Sequence, residues 1–165
     1  MRYSGLILND LAAAPGLCVT FFTQGCPHRC KGCHNPHTHD FLGGYEITLG
    51  EIADKVMANP LLDGMTFSGG EPFEQSEVLS QLAVWLKENG LNVWCYSGYT
   101  YEELQQKSTN NRGIDLLLSN TDVLVDGKFV EEKKNLLLNF RGSENQRVID
   151  MKKTREQGKI VLMEL

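Results

Sequence analysis

Residues 25–36 read Gly25-Cys26-Pro27-His28-Arg29-Cys30-Lys31-Gly32-Cys33-His34-Asn35-Pro36 and place three cysteines in a short loop. Their spacing is Cys-x3-Cys-x2-Cys. Thiolates are soft ligands that select zinc, copper(I) or iron–sulfur clusters. A four-iron cluster is normally held by four thiolates, so three close cysteines would leave one iron open to a ligand that is not protein. An open position is typical of a reactive metal site.

The same loop also fits a structural zinc site. A set of three cysteines and one histidine is common for zinc. Four histidines lie within reach of the three cysteines: His28, His34, His37 and His39. The cysteine loop alone is therefore compatible with both a zinc site and an iron–sulfur cluster. Other parts of the sequence are needed to distinguish the two.

Length and composition indicate one ordinary globular domain over residues 1–165, with 41% hydrophobic and 22% charged residues. The net charge of −5 argues against a general nucleic-acid binder. No apolar run is long enough for a membrane span, and the N-terminus has no signal-peptide pattern. Five cysteines, three of them clustered, do not resemble a disulfide framework, so we expect a cytoplasmic protein without a membrane partner.

Strand and helix patterns alternate through the middle of the chain. Helical patterns are predicted at 48–57, 75–88 and 100–107, and the first and third begin with the capping boxes Thr48-x-x-Glu51 and Thr100-x-x-Glu103. This alternation predicts an α/β fold with right-handed crossovers and a mainly parallel sheet. Short apolar runs predict four buried strands: Leu17–Thr23, Met65–Phe67, Asn92–Tyr96 and Asp122–Val125.

The two ends of the chain have weaker patterns. Residues 1–16 are predicted to be irregular, and 114–118 to form a helical turn. Further on, 136–140 is predicted to be extended, 141–147 to be a loop and 159–165 to be a last strand. Cys18 and Cys95 fall inside predicted strands and are expected to be inert core residues.

A polar or glycine-rich motif follows each of the four predicted strands. These motifs are the cysteine loop, Ser68–Pro72, Ser97–Tyr99 and Asp126–Lys128. The carboxyl ends of parallel strands share one edge of the sheet, where α/β proteins bind their ligands, so we expect the four motifs to converge on one site. A structural zinc site would not need the motifs at the ends of three further strands. The expected convergence of the four motifs therefore favours a reactive centre.

Each of these motifs offers groups that could bind a small molecule. Gly69 and Gly70 allow close backbone approach, and Glu71 with its neighbouring carbonyls could accept hydrogen bonds from an ammonium group. Ser97 offers a hydroxyl. Each motif is also explained by an ordinary turn beside a strand.

The later motifs add charge. Asp126 offers an acceptor and Lys128 a cation, although an ordinary Asp-Gly turn also accounts for them. Asn145 and Arg147 could contact a carboxylate or a ribose, or could simply be solvated.

Taken together, Cys26-x3-Cys30-x2-Cys33 and Ser68-Gly69-Gly70-Glu71-Pro72 resemble the two signature motifs of the radical S-adenosylmethionine superfamily. Cys33-His34-Asn35-Pro36 is similar to the activases of glycyl-radical enzymes. The resemblance covers most of residues 10–150. Three further pieces are similar to the activating proteins of anaerobic ribonucleoside-triphosphate reductases: Tyr96-Ser97-Gly98-Tyr99, Val125-Asp126-Gly127-Lys128-Phe129 and Arg141-Gly142-Ser143-x-Asn145-Gln146.

The resemblance implies an oxidoreductase with a shortened open (β/α) partial barrel. Cys26, Cys30 and Cys33 would hold a 4Fe–4S cluster, and S-adenosylmethionine would bind its open iron. No catalytic residue is implied beyond these cluster ligands. The protein substrate would be the anaerobic reductase, and flavodoxin or a similar donor would supply the electron. The cofactor-binding residues implied are Gly32, Cys33, His34, Gly69, Gly70, Glu71, Ser97, Asp126 and Lys128.

The sequence departs from the superfamily pattern at one position. Many members carry an aromatic residue just before the third cysteine, near the adenine, whereas this chain has Gly32 there. Another side chain must then cover the adenine, and His34 is the candidate.

Three alternatives remain at this point. The chain could be a pyruvate formate-lyase type activase, which usually has a longer chain, or a radical S-adenosylmethionine enzyme acting on a small molecule, which needs a closed pocket. It could also be a zinc-binding interaction module without enzymatic activity. Analysis for iron and sulfide against zinc separates the last alternative from the others.

Overall fold

The computed structural model describes residues 1–165, and a seven-stranded sheet in the order β3-β1-β2-β4-β5-β6-β7 forms its centre. The strands are β1 (Arg2–Asp10), β2 (Cys18–Thr23), β3 (Tyr45–Glu46), β4 (Gly64–Gly69), β5 (Asn92–Tyr96), β6 (Val123–Asp126) and β7 (Arg147–Asp150). The helices are α1 (Leu49–Met57), α2 (Ser76–Glu88), α3 (Tyr101–Ser108), α4 (Arg112–Ser119) and α5 (Met151–Gln157).

Strands β2, β4, β5 and β6 are parallel to one another and form the middle of the sheet. Their β-branched and aromatic side chains are buried, as in Phe21, Phe67 and Val93, because layers cover both faces. The predicted α/β class and the parallel centre are confirmed. The sheet as a whole is mixed, since β1 and β7 run antiparallel to their neighbours.

The helices cover one face of the sheet. Both predicted capping boxes form, and the backbone N–H of Glu51 donates to Thr48 Oγ1 at 3.2 Å. On α2 the buried residues include Leu79, Leu82 and Leu86, which recur on one side of the helix and join the main core. The opposite face carries a smaller apolar cluster built partly from loops. None of the helices has both the length and the apolar character that a membrane crossing requires.

The predictions for the chain ends were wrong. Residues 2–10 are not irregular but form β1, whose half-exposed side chains give little strand pattern. Tertiary contacts fix this strand instead: the Arg2 backbone N–H donates to Gln75 Oε1 at 2.9 Å, and Gln75 Nε2 donates to the Arg2 carbonyl at 2.7 Å.

The C-terminal region differs in the same way. The predicted loop 141–147 ends in β7, which pairs with β6, and α5 follows directly, capped by Asp150. Residues 159–165 form no strand, only an isolated bridge between Leu162 and Ile149. Residues 136–140 are likewise turn and bend. The predicted turn at 114–118 is the full helix α4.

A pair of strand glycines tests the packing of the parallel centre. A Cβ on Gly64 would overlap the carbonyl oxygen of Asn92 on β5, whereas a Cβ on Gly5 in β1 would meet nothing within 4 Å. We expect Gly64→Ala to lower the free energy of unfolding by about 2 kcal/mol and Gly5→Ala to change it by less than about 0.5 kcal/mol. Urea unfolding of both variants measures this, and equal stabilities would contradict the packing described.

Candidate functional site

The four predicted motifs do converge at the carboxyl edge of the parallel strands. A cavity of about 170 Å³ lies there, and residues that follow β2, β4, β5 and β6 all line it. Seven of the predicted site residues line this cavity: Cys26, Cys30, Cys33, His34, Gly69, Gly70 and Ser97.

The cysteine loop is held in place by backbone hydrogen bonds. The Gly25 N–H donates to the Thr38 carbonyl at 2.7 Å, and the Cys26 N–H donates to the His39 carbonyl at 3.2 Å. Gly25 adopts a φ of +102°, which favours glycine. These hydrogen bonds fix the start of the loop, at Gly25 and Cys26, against residues 38 and 39.

All three loop cysteines are free thiols. Burial raises the pKa of Cys26 and of Cys30. At Cys30 the Phe129 backbone hydrogen bond and the nearby Lys128 charge act in the opposite direction. Thiols with a raised pKa are protonated at neutral pH, so metal binding must release these protons.

The three thiols of the loop share one cavity, which Cys26, Cys30 and Cys33 all line. Thiolates are soft donors that suit an iron–sulfur cluster or zinc. Three thiolates around one cavity fit a 4Fe–4S cluster with one iron left open to another ligand.

Glu71 connects several of the segments that surround the cavity. Its side chain is fully buried and accepts hydrogen bonds from the Ser97 hydroxyl at 2.9 Å and from the Gly98 N–H at 2.8 Å. The Phe73 N–H donates to the same carboxylate at 3.1 Å. His28 Nε2 lies 2.7 Å from it. One buried carboxylate thus joins the ends of β4 and β5 to the cysteine loop, and this carboxylate does not itself line the cavity.

The other side of His28 is equally confined. Its ring packs edge-on against Tyr99, with centroids 4.4 Å apart. A Cβ on Gly98 would overlap this ring, so residue 98 must be glycine for His28 to occupy its place. Tyr99 also donates a hydrogen bond to Glu74, and burial is the main cause of its raised pKa.

Gly69 and Gly70 bring two backbone segments together. Gly69 has a φ of +92°, and a Cβ there would lie 2.5 Å from the Thr23 nitrogen. A Cβ on Gly70 would overlap the Gly25 carbonyl oxygen. Protein contacts alone therefore require both glycines, and a bulky substitution at Gly70 would displace the cysteine loop as well as any ligand beside it.

Four predicted residues lie outside the cavity lining: Glu71, Asp126, Lys128 and Gly32. Asp126 is buried and accepts from Arg147 Nε at 3.0 Å and from the Tyr101 N–H at 2.7 Å. Asp126 and Lys128 line a neighbouring polar cleft that shares Gly98 and Gly127 with the cavity. Gly32 is exposed beside the third cysteine.

Four further residues line the cavity although their sequence motifs did not indicate a role in the site: Tyr96, Val125, Phe129 and Gln146. The Phe129 and His34 rings lie 5.5 Å apart, so an aromatic pair stands beside the third cysteine although residue 32 is glycine. As predicted, Cys18 and Cys95 are buried in the core.

The buried carboxylate can be tested by truncation. Glu71→Ala would leave His28, Ser97 and the Gly98 N–H without their partner. We expect the free energy of unfolding of the metal-free protein to fall by about 3 kcal/mol, because each buried group left unpaired costs about 1–3 kcal/mol. The exposed Glu74 is the control, and Glu74→Ala should cost under about 1 kcal/mol. Urea unfolding with similar losses for both variants would contradict the role assigned to Glu71.

The comparisons with known proteins agree with this geometry. The family model described as "4Fe-4S single cluster domain" matches residues 12–149. Three similar relatives each carry the name "Anaerobic ribonucleoside-triphosphate reductase-activating protein". The Vibrio cholerae protein is 35% identical over 88% of this chain and 96% of its own. The Escherichia coli K12 protein is 33% identical over the same shares, and the Enterobacteria phage T4 protein 30% over 90% and 93%.

Both the 4Fe–4S model and these relatives span most of the chain, and the loop with three free thiols lies inside the matched residues. The chain therefore belongs to the family of anaerobic ribonucleoside-triphosphate reductase-activating proteins.

Proposed function

We propose that this protein activates an anaerobic ribonucleoside-triphosphate reductase by generating a glycyl radical on it. The proposed cofactors are a 4Fe–4S cluster on Cys26, Cys30 and Cys33 and S-adenosylmethionine at the open iron. The observation that supports this is a single cavity in which three free thiols face the glycine-rich end of β4. The names of the similar relatives support the choice of target.

When held by Cys26, Cys30 and Cys33, the cluster would supply the electron for reductive cleavage of S-adenosylmethionine, the chemistry by which a hydrogen atom could be removed from a glycine Cα of the reductase. The chain's own part is to bind, orient and shield. Gly69 and Gly70 present backbone to the cavity beside the thiols, which suits the methionyl ammonium group. Glu71 and Ser97 keep this backbone in place through their hydrogen bond.

The adenine is the part of the cofactor that needs aromatic cover. His34 and Phe129 supply two rings at the cavity wall, with the small Gly32 next to Cys33. The ribose would extend toward Asp126 and Lys128 in the adjoining cleft, since the two spaces share Gly98 and Gly127.

As an oxidoreductase of this kind the protein would work in the cytoplasm and take its electron from flavodoxin or a similar donor. Its sheet would correspond to a shortened open (β/α) partial barrel. A cavity at an open sheet edge can be covered by a large partner, which would exclude water from the radical chemistry.

The cluster ligands can be tested by single substitutions. We expect Cys26→Ala, Cys30→Ala and Cys33→Ala each to abolish both the 4Fe–4S cluster and the activity, because a two-thiolate set cannot hold it. Cys18→Ala and Cys95→Ala should keep the iron and sulfide content of the wild type, since both side chains lie in the core. Iron and sulfide analysis after anaerobic reconstitution measures this. A wild-type cluster in Cys30→Ala would refute the ligand assignment.

The reaction can be tested with both proteins present. Electron paramagnetic resonance of the reduced protein, mixed with S-adenosylmethionine and the reductase, should show a glycyl radical on the reductase. One 5′-deoxyadenosine should form for each radical. The control is a reductase whose target glycine is replaced by alanine. A radical that persists on this control, or full turnover with a small metabolite alone, would favour the small-molecule alternative.

A further inference from the structure

Glu71 binds the cysteine loop on both sides of Cys26. Its backbone N–H donates to the Gly25 carbonyl at 2.9 Å, and its carboxylate oxygen Oε2 lies 2.7 Å from His28 Nε2. Gly25 directly precedes Cys26, and His28 lies between Cys26 and Cys30 and also lines the cavity. The carboxylate is therefore fixed next to the place where the thiols would hold the cluster.

The side chain of Glu71 is fully buried, and its hydrogen-bond partners carry no permanent positive charge. Its donors include the Ser97 hydroxyl and the N–H groups of Gly98 and Phe73. His28 is the only basic side chain within 4.0 Å of the carboxylate. The single N–H of a neutral imidazole is enough for this one contact. Hydrogen bonds from neutral donors favour the anionic form of a carboxylate, so a negative charge is enclosed here.

This enclosed charge acts on the first loop thiol. Burial raises the pKa of Cys26, and the negative charge of Glu71 raises it further. Charges that are buried are screened much less than charges in water. The same repulsion would oppose the addition of an electron to an iron–sulfur cluster on these thiolates, because the net charge around a cluster is one of the factors that set its reduction potential.

We infer that the buried Glu71 carboxylate lowers the reduction potential of the cluster, in addition to holding the loop. The inference rests on the proposed function only for the presence of a 4Fe–4S cluster on the three cysteines. A lower potential makes the reduced cluster a stronger electron donor, which suits reductive cleavage of S-adenosylmethionine. Glu71 does not line the cavity, so it acts as a positioning residue whose charge reaches the cluster through the protein.

The test compares Glu71→Gln with Glu71→Asp in the full chain after anaerobic reconstitution. Glutamine keeps the shape and one acceptor oxygen but has no charge, whereas aspartate keeps the charge on a shorter side chain. We expect Glu71→Gln to shift the one-electron equilibrium toward the reduced cluster by about tenfold, as a unit charge a few ångströms away does at an effective dielectric constant of about 20. Such a change corresponds to about 59 mV for a one-electron couple. Titration with dithionite and mediator dyes, followed by electron paramagnetic resonance, measures it.

The control is Glu74→Gln, which removes the neighbouring exposed carboxylate. The potentials of this variant and of Glu71→Asp should match the wild type, because water screens the exposed charge and aspartate retains the buried one. An unchanged potential in Glu71→Gln, an equal shift in either of the other variants, or loss of the cluster from Glu71→Gln would overturn the inference. A wild type that takes up no 4Fe–4S cluster would instead refute the proposed function.

Discussion

The architecture of the site depends on the buried contact between His28 and Glu71. The carboxylate lies at the end of β4, the histidine in the cysteine loop, and the Ser97 and Gly98 donors at the end of β5. Burying a carboxylate is costly unless its oxygens are paired, and here each oxygen has protein donors. This contact also positions the cysteines indirectly, because it fixes the loop that carries them.

The parallel centre and the convergence of four motifs could be predicted from sequence, because both follow from local patterns and from one rule of parallel sheets. The role of Glu71 could not be predicted in this way. Its motif indicates an exposed acceptor, and only the distance in space to His28 shows that the carboxylate is already occupied. Likewise β1 forms by pairing with β2 and β3, and Gln75 binds the Arg2 backbone at its start, and no pattern in residues 2–10 encodes these partners.

The glycines illustrate the same limit. Gly69 and Gly70 indicate a close approach, and the structure shows that the approaching partner includes the chain's own backbone at Thr23 and Gly25. A glycine motif can therefore indicate a close contact without identifying the group that makes the contact. The missed aromatic cover at Phe129 is a related case, since it comes from a residue far from the cysteines in sequence but next to His34 in space.

The hydrogen-bonded cysteine loop has a consequence for how the protein is matured and repaired. In a zinc finger the metal supplies the folding energy, so losing the metal unfolds the domain. Here Thr38 and His39 bind the backbone of Gly25 and Cys26, and Glu71 binds His28, so the start of the loop is joined to the sheet by hydrogen bonds that do not use the cysteine sulfurs. The loop cysteines also belong to neither apolar cluster of the core. Oxidative damage to the sulfurs would therefore leave the core packing and these hydrogen bonds in place.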